Sequence, residues 1–145
     1  MGHRSLLALA FLDLDGFKVI NDRHTHNVGD HILPVVARRI HNVVRPDDTV
    51  VRWGGDEFVV LFEQLEDETA ALELVQRVLT AVTEPIGHLS QEFVVTASLG
   101  VAFSAAADTV DPDELVRRAD AAMYRSKRIG RDAFAVFGSL DDPAV

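Results

Sequence analysis

Two pairs of acidic residues stand where folding alone does not call for them. Asp13 and Asp15 flank Leu14 at the end of an apolar run, and Asp56 and Glu57 follow Gly54-Gly55 between two β-prone runs. Ionised groups avoid the ends of buried strands unless they are paired or bound to metal. Adjacent carboxylates at a bend repel one another, and turning a chain does not require them. Such a set looks placed to hold a cation. The residues alone leave plainer readings open, with Asp15-Gly16 as a turn and Gly54 to Glu57 as a charged hairpin tip.

The elements that must position these groups can be read from periodicity. Residues 6–13 form a short apolar run expected to be a buried central strand, and strand alternation puts Asp13 and Asp15 on one side. Gly16 to Asn21 reads as a short helical turn and Asp22 to Gly29 as a loop. A helix is expected from Asp30, its N-cap, through Ile32, Val35, Val36, Ile40, Val43 and Val44, with Pro34 tolerable only near the helix start. Thr49-Val50-Val51 and Phe58 to Phe62 read as a hairpin whose glycines supply positive φ, the second strand being covered on both faces. A helix over Glu66 to Thr83, a strand pair or bent strand over Glu92 to Phe103, a helix from Asp111-Pro112 to Gly130 and a strand over Phe134 to Phe137 complete the chain. The order β-α-β-β-α-β-α-β implies an α/β (α+β) fold: a mixed, mainly antiparallel central sheet with flanking helices, close to a ferredoxin-like arrangement.

Composition narrows the function. With 145 residues the chain suffices for one domain, its core spanning about residues 5–138 and residues 139–145 forming a loose tail. The formal charge of −9 disfavours nonspecific binding to DNA or an anionic membrane, so an anionic ligand needs local basic residues or a metal. The absence of cysteine removes disulfides and thiolate metal sites and fits a reducing, cytoplasmic setting. The apolar run after Arg4 is too short for a membrane span and has no small-residue cleavage site behind it. His24, His26, His31 and His41 match no zinc spacing.

The string Gly54-Gly55-Asp56-Glu57-Phe58 resembles the namesake motif of the GGDEF family of diguanylate cyclases, and the resemblance continues along the chain. Phe11 to Asp22 resembles the family's first-strand motif. His26-Asn27-Val28-Gly29-Asp30 resembles its Gly-His-x-x-Gly-Asp segment, with Thr25 in place of the glycine. Ala97 to Ala102 resembles a later strand and Ala119 to Arg131 the last helix.

The resemblance implies a nucleotidyl-cyclase palm fold that condenses two GTP into cyclic di-GMP as a homodimer. It implies two Mg2+ (or Mn2+) per active site, with Asp13, the Leu14 carbonyl and Asp56 as metal ligands and Glu57 as a further ligand or base. Lys18, Lys127 and Arg131 would neutralise phosphates, with backbone amides at Gly16 and Phe17 nearby and Gly54 and Gly55 at the bend. By themselves, Lys127 and Arg131, four residues apart on one helical face, read rather as partners of a helix dipole or as solvated charges. Asn21 and Asp30 match guanine-binding positions, while capping competes for Asp30. Arg45-x-x-Asp48 matches the site at which product inhibits, against the reading of a helix-ending turn, and Arg77 is a candidate second arginine. Glu84-Pro85-Ile86 and Glu92 to Ser98 are similar to composite proteins carrying an EAL-type phosphodiesterase, which raises the alternative of a nucleotide-binding regulatory module. The family's Asp-x-Leu-Thr-x-Leu-x-Asn-Arg segment is missing, so the chain is expected to be part of a longer signalling protein with an upstream sensor.

Overall fold

A computed structural model of the chain describes residues 6–24, 26–105 and 110–138. Thr25 and the tail at 139–145 fall outside it, as do the side chains of His24 and His26. The core element is strand β1 (Leu6–Asp15), which pairs antiparallel with β3 (Glu57–Leu65) on one side and with β6 (Thr96–Ala105) on the other. Strand β2 (Thr49–Arg52) closes one edge against β3, and β7 (Ala133–Val136) lies parallel to β6 at the other. The five-stranded order β2-β3-β1-β6-β7 is the ferredoxin-like order with one parallel strand added.

Alternation along β1 divides the core in two. Ala8, Ala10, Leu12 and Leu14 face a large cluster with Ile32, Val36, Ile40, Val75, Val78 and Val82 from helices α2 (His26–Val43) and α3 (Glu68–Val82). Leu9 and Phe11 face the other way, toward Leu115, Ala119 and Met123 of helix α4 (Pro112–Ile129). Asp13 and Asp15 continue the Leu9–Phe11 row, so both carboxylates emerge on the α4 side, as alternation predicts. Gly100 sets how near that helix lies. A Cβ there would stand 2.0 Å from the Ala119 carbonyl oxygen and 2.3 Å from the Met123 nitrogen, so only glycine lets α4 rest on β6.

Several expectations are corrected. Strand β1 runs on to Asp15, because Leu14 is buried and the ladder continues to Asp15 opposite Thr96. The turn after Gly16 is a helix, α1 (Phe17–His24), and most of the supposed loop is helical too. Asp30 does not cap α2 but lies within it, exposed. The stripe Val28, Ile32, Val36, Ile40 is buried throughout, so the apolar face starts a turn earlier than expected. Pro34 is therefore well inside the helix, which survives because the proline and Asp30, whose carbonyl loses its amide partner, both face solvent. Helix α3 begins later than expected, with Asp67 accepting from the Ala70 amide as N-cap. A small hairpin of β4 (Ile86–His88) and β5 (Gln91–Phe93), not foreseen, precedes β6. Its sharp turn uses Leu89 and Ser90 at positive φ, which no glycine signals.

Candidate functional site: an acidic cluster at the end of the central strand

The bend between β2 and β3 (Trp53 to Asp56) is held to the end of β1. The Leu14 amide donates to the Asp56 carbonyl at 3.1 Å, and Trp53 packs edge-on against Phe11 with ring centroids 6.2 Å apart. Neither Gly54 nor Gly55 is among the residues at positive φ, so the expected turn geometry does not account for them. Close approach accounts for Gly54: a Cβ there would lie 2.6 Å from Glu57 Oε1. At Gly55 the same atom would meet open space.

This attachment brings the separated acids together. Asp13 pairs across the ladder with Glu57, and the backbone bond from Leu14 to Asp56 sets Asp56 beside it. Neighbouring ionised carboxylates repel until a proton or a cation comes between them. Burial, then the charge of Asp13, pushes the Asp56 carboxyl above its ordinary value. Burial likewise raises Glu57, followed by the charges of Asp13, Asp56 and Asp120, and it raises Asp120 together with Asp13. Lys127 answers this charge from α4 through a hydrogen-bonded ion pair with Asp13. Burial works against the ammonium, but Asp13, Asp15 and Asp56 outweigh it and hold Lys127 above the usual lysine value. Asp13 Oδ1 is buried and receives no donor.

Such a site fits a divalent cation. It holds a buried oxygen without a donor, a neighbouring carboxylate raised by the Asp13 charge, and an excess of negative charge over a single ammonium. Among the described residues no group of three or more His, Asp or Glu side chains forms a metal cluster by itself.

The other expected residues divide. Gly16 stands at φ 68°, exposed, and its carbonyl accepts from the Ile20 amide as α1 begins, while the Phe17 ring is buried in the core. Lys18 is exposed on the first turn of α1. Asn21 sits against Gly29, where a Cβ would lie 2.3 Å from Asn21 Oδ1, and that oxygen is buried with no donor. Asn21 is thus adjacent to the segment carrying Asp30. Arg131 does not share a helical face with Lys127, because α4 stops at Ile129 and Arg131 takes φ 63° in the turn beyond.

Arg45 and Asp48 form a closed unit. Arg45 Nε and Nη2 donate to the two carboxylate oxygens at 2.9 and 2.8 Å, and Nη2 also reaches the Glu63 carbonyl at 2.6 Å. The Glu63 amide in turn donates to Asp48 at 3.3 Å. Burial acts against the Asp48 charge, but the hydrogen bonds of Arg45 and these amides leave its carboxyl below the ordinary value. Arg77 lines an open groove between α2 and α3 with Arg39, Asn42 and Thr80, and Arg45 is not part of that lining. The Gly87 carbonyl accepts from His31 Nε2 at 3.2 Å, and the His31 ring stacks on His88 at 4.4 Å, while His41 is exposed.

Sequence reasoning passed over Asp120, Thr96 and Ser98 as site residues. Asp120 lies two helical turns before Lys127, a spacing that puts both on one face of α4 and was available as a signal. The hydroxyls of Thr96 and Ser98 reach Asp15 only through strand pairing between distant segments, which no local spacing reveals.

The family described as "Diguanylate cyclase, GGDEF domain" matches residues 1–133. The chain belongs to that family. The bifunctional diguanylate cyclase/cyclic di-GMP phosphodiesterase MucR of Pseudomonas aeruginosa is 42% identical over 132 residues, covering 91% of this chain and 19% of that protein. Diguanylate cyclase TpbB of Pseudomonas aeruginosa is 38% identical over 144 residues, 99% of this chain and 33% of that one. The chain thus spans a third or less of these relatives. Among solved structures, the GGDEF domain of TpbB superposes with a TM-score of 0.88 at 35% identity, covering 96% of this chain and 80% of that chain. The GGDEF domain of DgcB from Caulobacter crescentus, solved in complex with c-di-GMP, gives 0.84 at 29% identity, covering 93% and 80%. No helix among the described residues is long and apolar enough to cross a membrane.

Proposed function

We propose that the chain is the catalytic domain of a diguanylate cyclase, converting two GTP into cyclic di-GMP and two pyrophosphates. The observation that carries this reading is the convergence of Asp13 and Asp56 at the end of β1, with one buried oxygen left without a donor. Asp13, the Leu14 carbonyl and Asp56 would hold two Mg2+ or Mn2+ ions. When bound, the metals would neutralise phosphate charge and favour in-line displacement at the α-phosphate. The site's excess negative charge makes it a poor host for a triphosphate unless cations come with it.

The remaining roles belong to the chain. The exposed start of α1, with Gly16, Phe17 and Lys18, offers backbone amides and an ammonium to phosphate oxygens. Lys127 and Arg131 approach from the end of α4. Asn21 and Asp30 read guanine, since a carboxylate accepts from guanine N1–H and its amino group, whereas adenine presents an acceptor and no amino group there. A mismatched base would leave a buried polar group unpaired, at about 1–3 kcal/mol. Glu57, raised by burial and neighbouring carboxylates, is suited to take the proton of the attacking 3′-hydroxyl. Each domain holds one GTP, and two domains face each other so that each hydroxyl attacks the other's α-phosphate. Product binds at Arg45 and Asp48, where Arg45 Nη1 is the guanidinium edge not used within the unit. An upstream sensor, and in composite proteins an EAL domain, would set how often two domains meet.

The test is pyrophosphate release from GTP and magnesium at rising protein concentration. The reading predicts a rate that climbs more steeply than concentration, because the second half-site is supplied by another molecule, and its loss in Asp56→Ala. Rates merely proportional to concentration contradict it. Binding of GTP without turnover points to the regulatory-module alternative.

A further inference from the structure

We propose that Asp15 is a positioning residue for this reaction: its buried carboxylate fixes the turn after α4, and through that turn the cations that meet the substrate's terminal phosphates. The proposal rests on the cyclase reading. Asp13 and Asp15 lie two apart on the same face of β1, yet their surroundings are opposite. Asp13 has a buried oxygen with no donor. Asp15, at 9% exposure, is filled: Ser98 Oγ donates to Oδ1 at 2.7 Å, and Thr96 Oγ1 donates to Oδ2 at 2.7 Å. The Asp132 amide adds a third donor to Oδ2 at 3.2 Å. A carboxylate so occupied is built to hold protein and not a metal ion.

What it holds is an unusual turn. Gly130, Arg131 and Asp132 stand at φ 155°, 63° and 46°, and side-chain-bearing residues rarely adopt such values in succession. Ser126 secures the helix side of the turn: its carbonyl accepts from the Gly130 and Arg131 amides, and its hydroxyl donates to the Ala133 carbonyl at 2.8 Å. Asp15 secures the sheet side. Between these anchors the chain presents Arg131 to solvent, with Lys127 one residue beyond Ser126 and paired to Asp13. Strand β6 thereby reaches the phosphate end of the site through Thr96 and Ser98, neither of which need touch substrate.

The test compares the chain with Thr96→Val, which keeps the shape and removes one donor, and with Thr96→Ser, which keeps the donor; Asp15→Asn is the stronger variant. Thr96 is only partly buried, so its variants fold even where Asp15→Asn does not. The expected result for Thr96→Val is a KM for GTP raised about fivefold with kcat changed less than about twofold. Faster amide exchange at Asp132 should accompany it, and Thr96→Ser should restore both. A Thr96→Val protein with wild-type KM and wild-type exchange at Asp132 overturns the proposal, as does a Thr96→Ser protein no better than Thr96→Val. Should the wild-type chain release no pyrophosphate, the cyclase reading fails by itself. The affinity for magnesium tripolyphosphate then decides: weakening in Thr96→Val supports the role of Asp15, and equal affinity overturns it.

Discussion

Replacing Asp56 with asparagine should make the metal-free protein more stable while abolishing its chemistry. Asp56 lies beside Asp13 and is held above its ordinary pKa by burial and by the charge of Asp13. Two like charges about 4 Å apart repel by roughly 4 kcal/mol at an effective dielectric of 20 and by about 1 kcal/mol in water. Lys127 cancels much of this through its pair with Asp13, and the site opens to solvent, so the relief from Asp56→Asn should be near the lower figure, about 1 kcal/mol. The sign follows from proton linkage. A carboxyl raised in the fold binds its proton more readily folded than unfolded, so stability falls as pH rises from the unfolded pKa through the folded one. The advantage of asparagine should therefore be full at pH 8 and vanish toward pH 3, where Asp56 is protonated in both states. Urea unfolding in chelator at the two pH values measures this, and a melting point higher by about 3 °C at pH 8 is the thermal counterpart. Equal or lower stability of Asp56→Asn at pH 8 would refute the claim that these carboxylates strain against each other in wait for a cation.

Other perturbations test the parts that position the site. Arg45→Ala leaves the Asp48 side chain, which is 0% exposed, without its two-pronged partner; urea unfolding should show a loss of about 2 kcal/mol at pH 7. Asp48 sits below its ordinary pKa, so this contribution is complete at neutral pH and disappears as acid titrates through the folded value. Gly100→Ala drives a methyl into the backbone of α4 and should destabilise by about 3 kcal/mol while moving Lys127 from Asp13, seen as joint loss of melting temperature and activity. Gly29→Ala places a methyl 2.3 Å from the buried Asn21 Oδ1 and 3.1 Å from the Phe17 ring, so Asn21 must shift; the KM for GTP should rise while kcat holds, by steady-state kinetics, and the melting temperature should fall as well.

The carboxylate pair was legible in sequence because strand alternation is strict and because turning the chain at Gly54-Gly55 does not require adjacent carboxylates at Asp56 and Glu57. The fold class and most of the element order were legible too, since each apolar run had a length and neighbours that suited it, though the β4–β5 hairpin was not. Asp30 was misread because Pro34 and Gly29 look like helix breakers, whereas Val28 carries the buried stripe a turn earlier and the proline faces water. The face shared by Lys127 and Arg131 was misread because Gly130 ends the helix between them. The glycines of the bend were assigned to backbone conformation, while the fold uses Gly54 to make room for Glu57. Asp15 and Asp13 look identical in sequence. Only the pairing of β1 with β6 gives one its hydroxyl donors and leaves the other with an oxygen unserved.

The most direct measurement is a manganese titration followed by electron paramagnetic resonance, with a non-hydrolysable GTP analogue present. Wild-type protein should take up two ions per domain in a nucleotide-dependent manner, and Asp13→Asn with Asp56→Asn should take up none tightly. Unchanged manganese binding in that double variant would contradict the account, because the cation would then reside somewhere other than the meeting point of the central strand and the glycine bend.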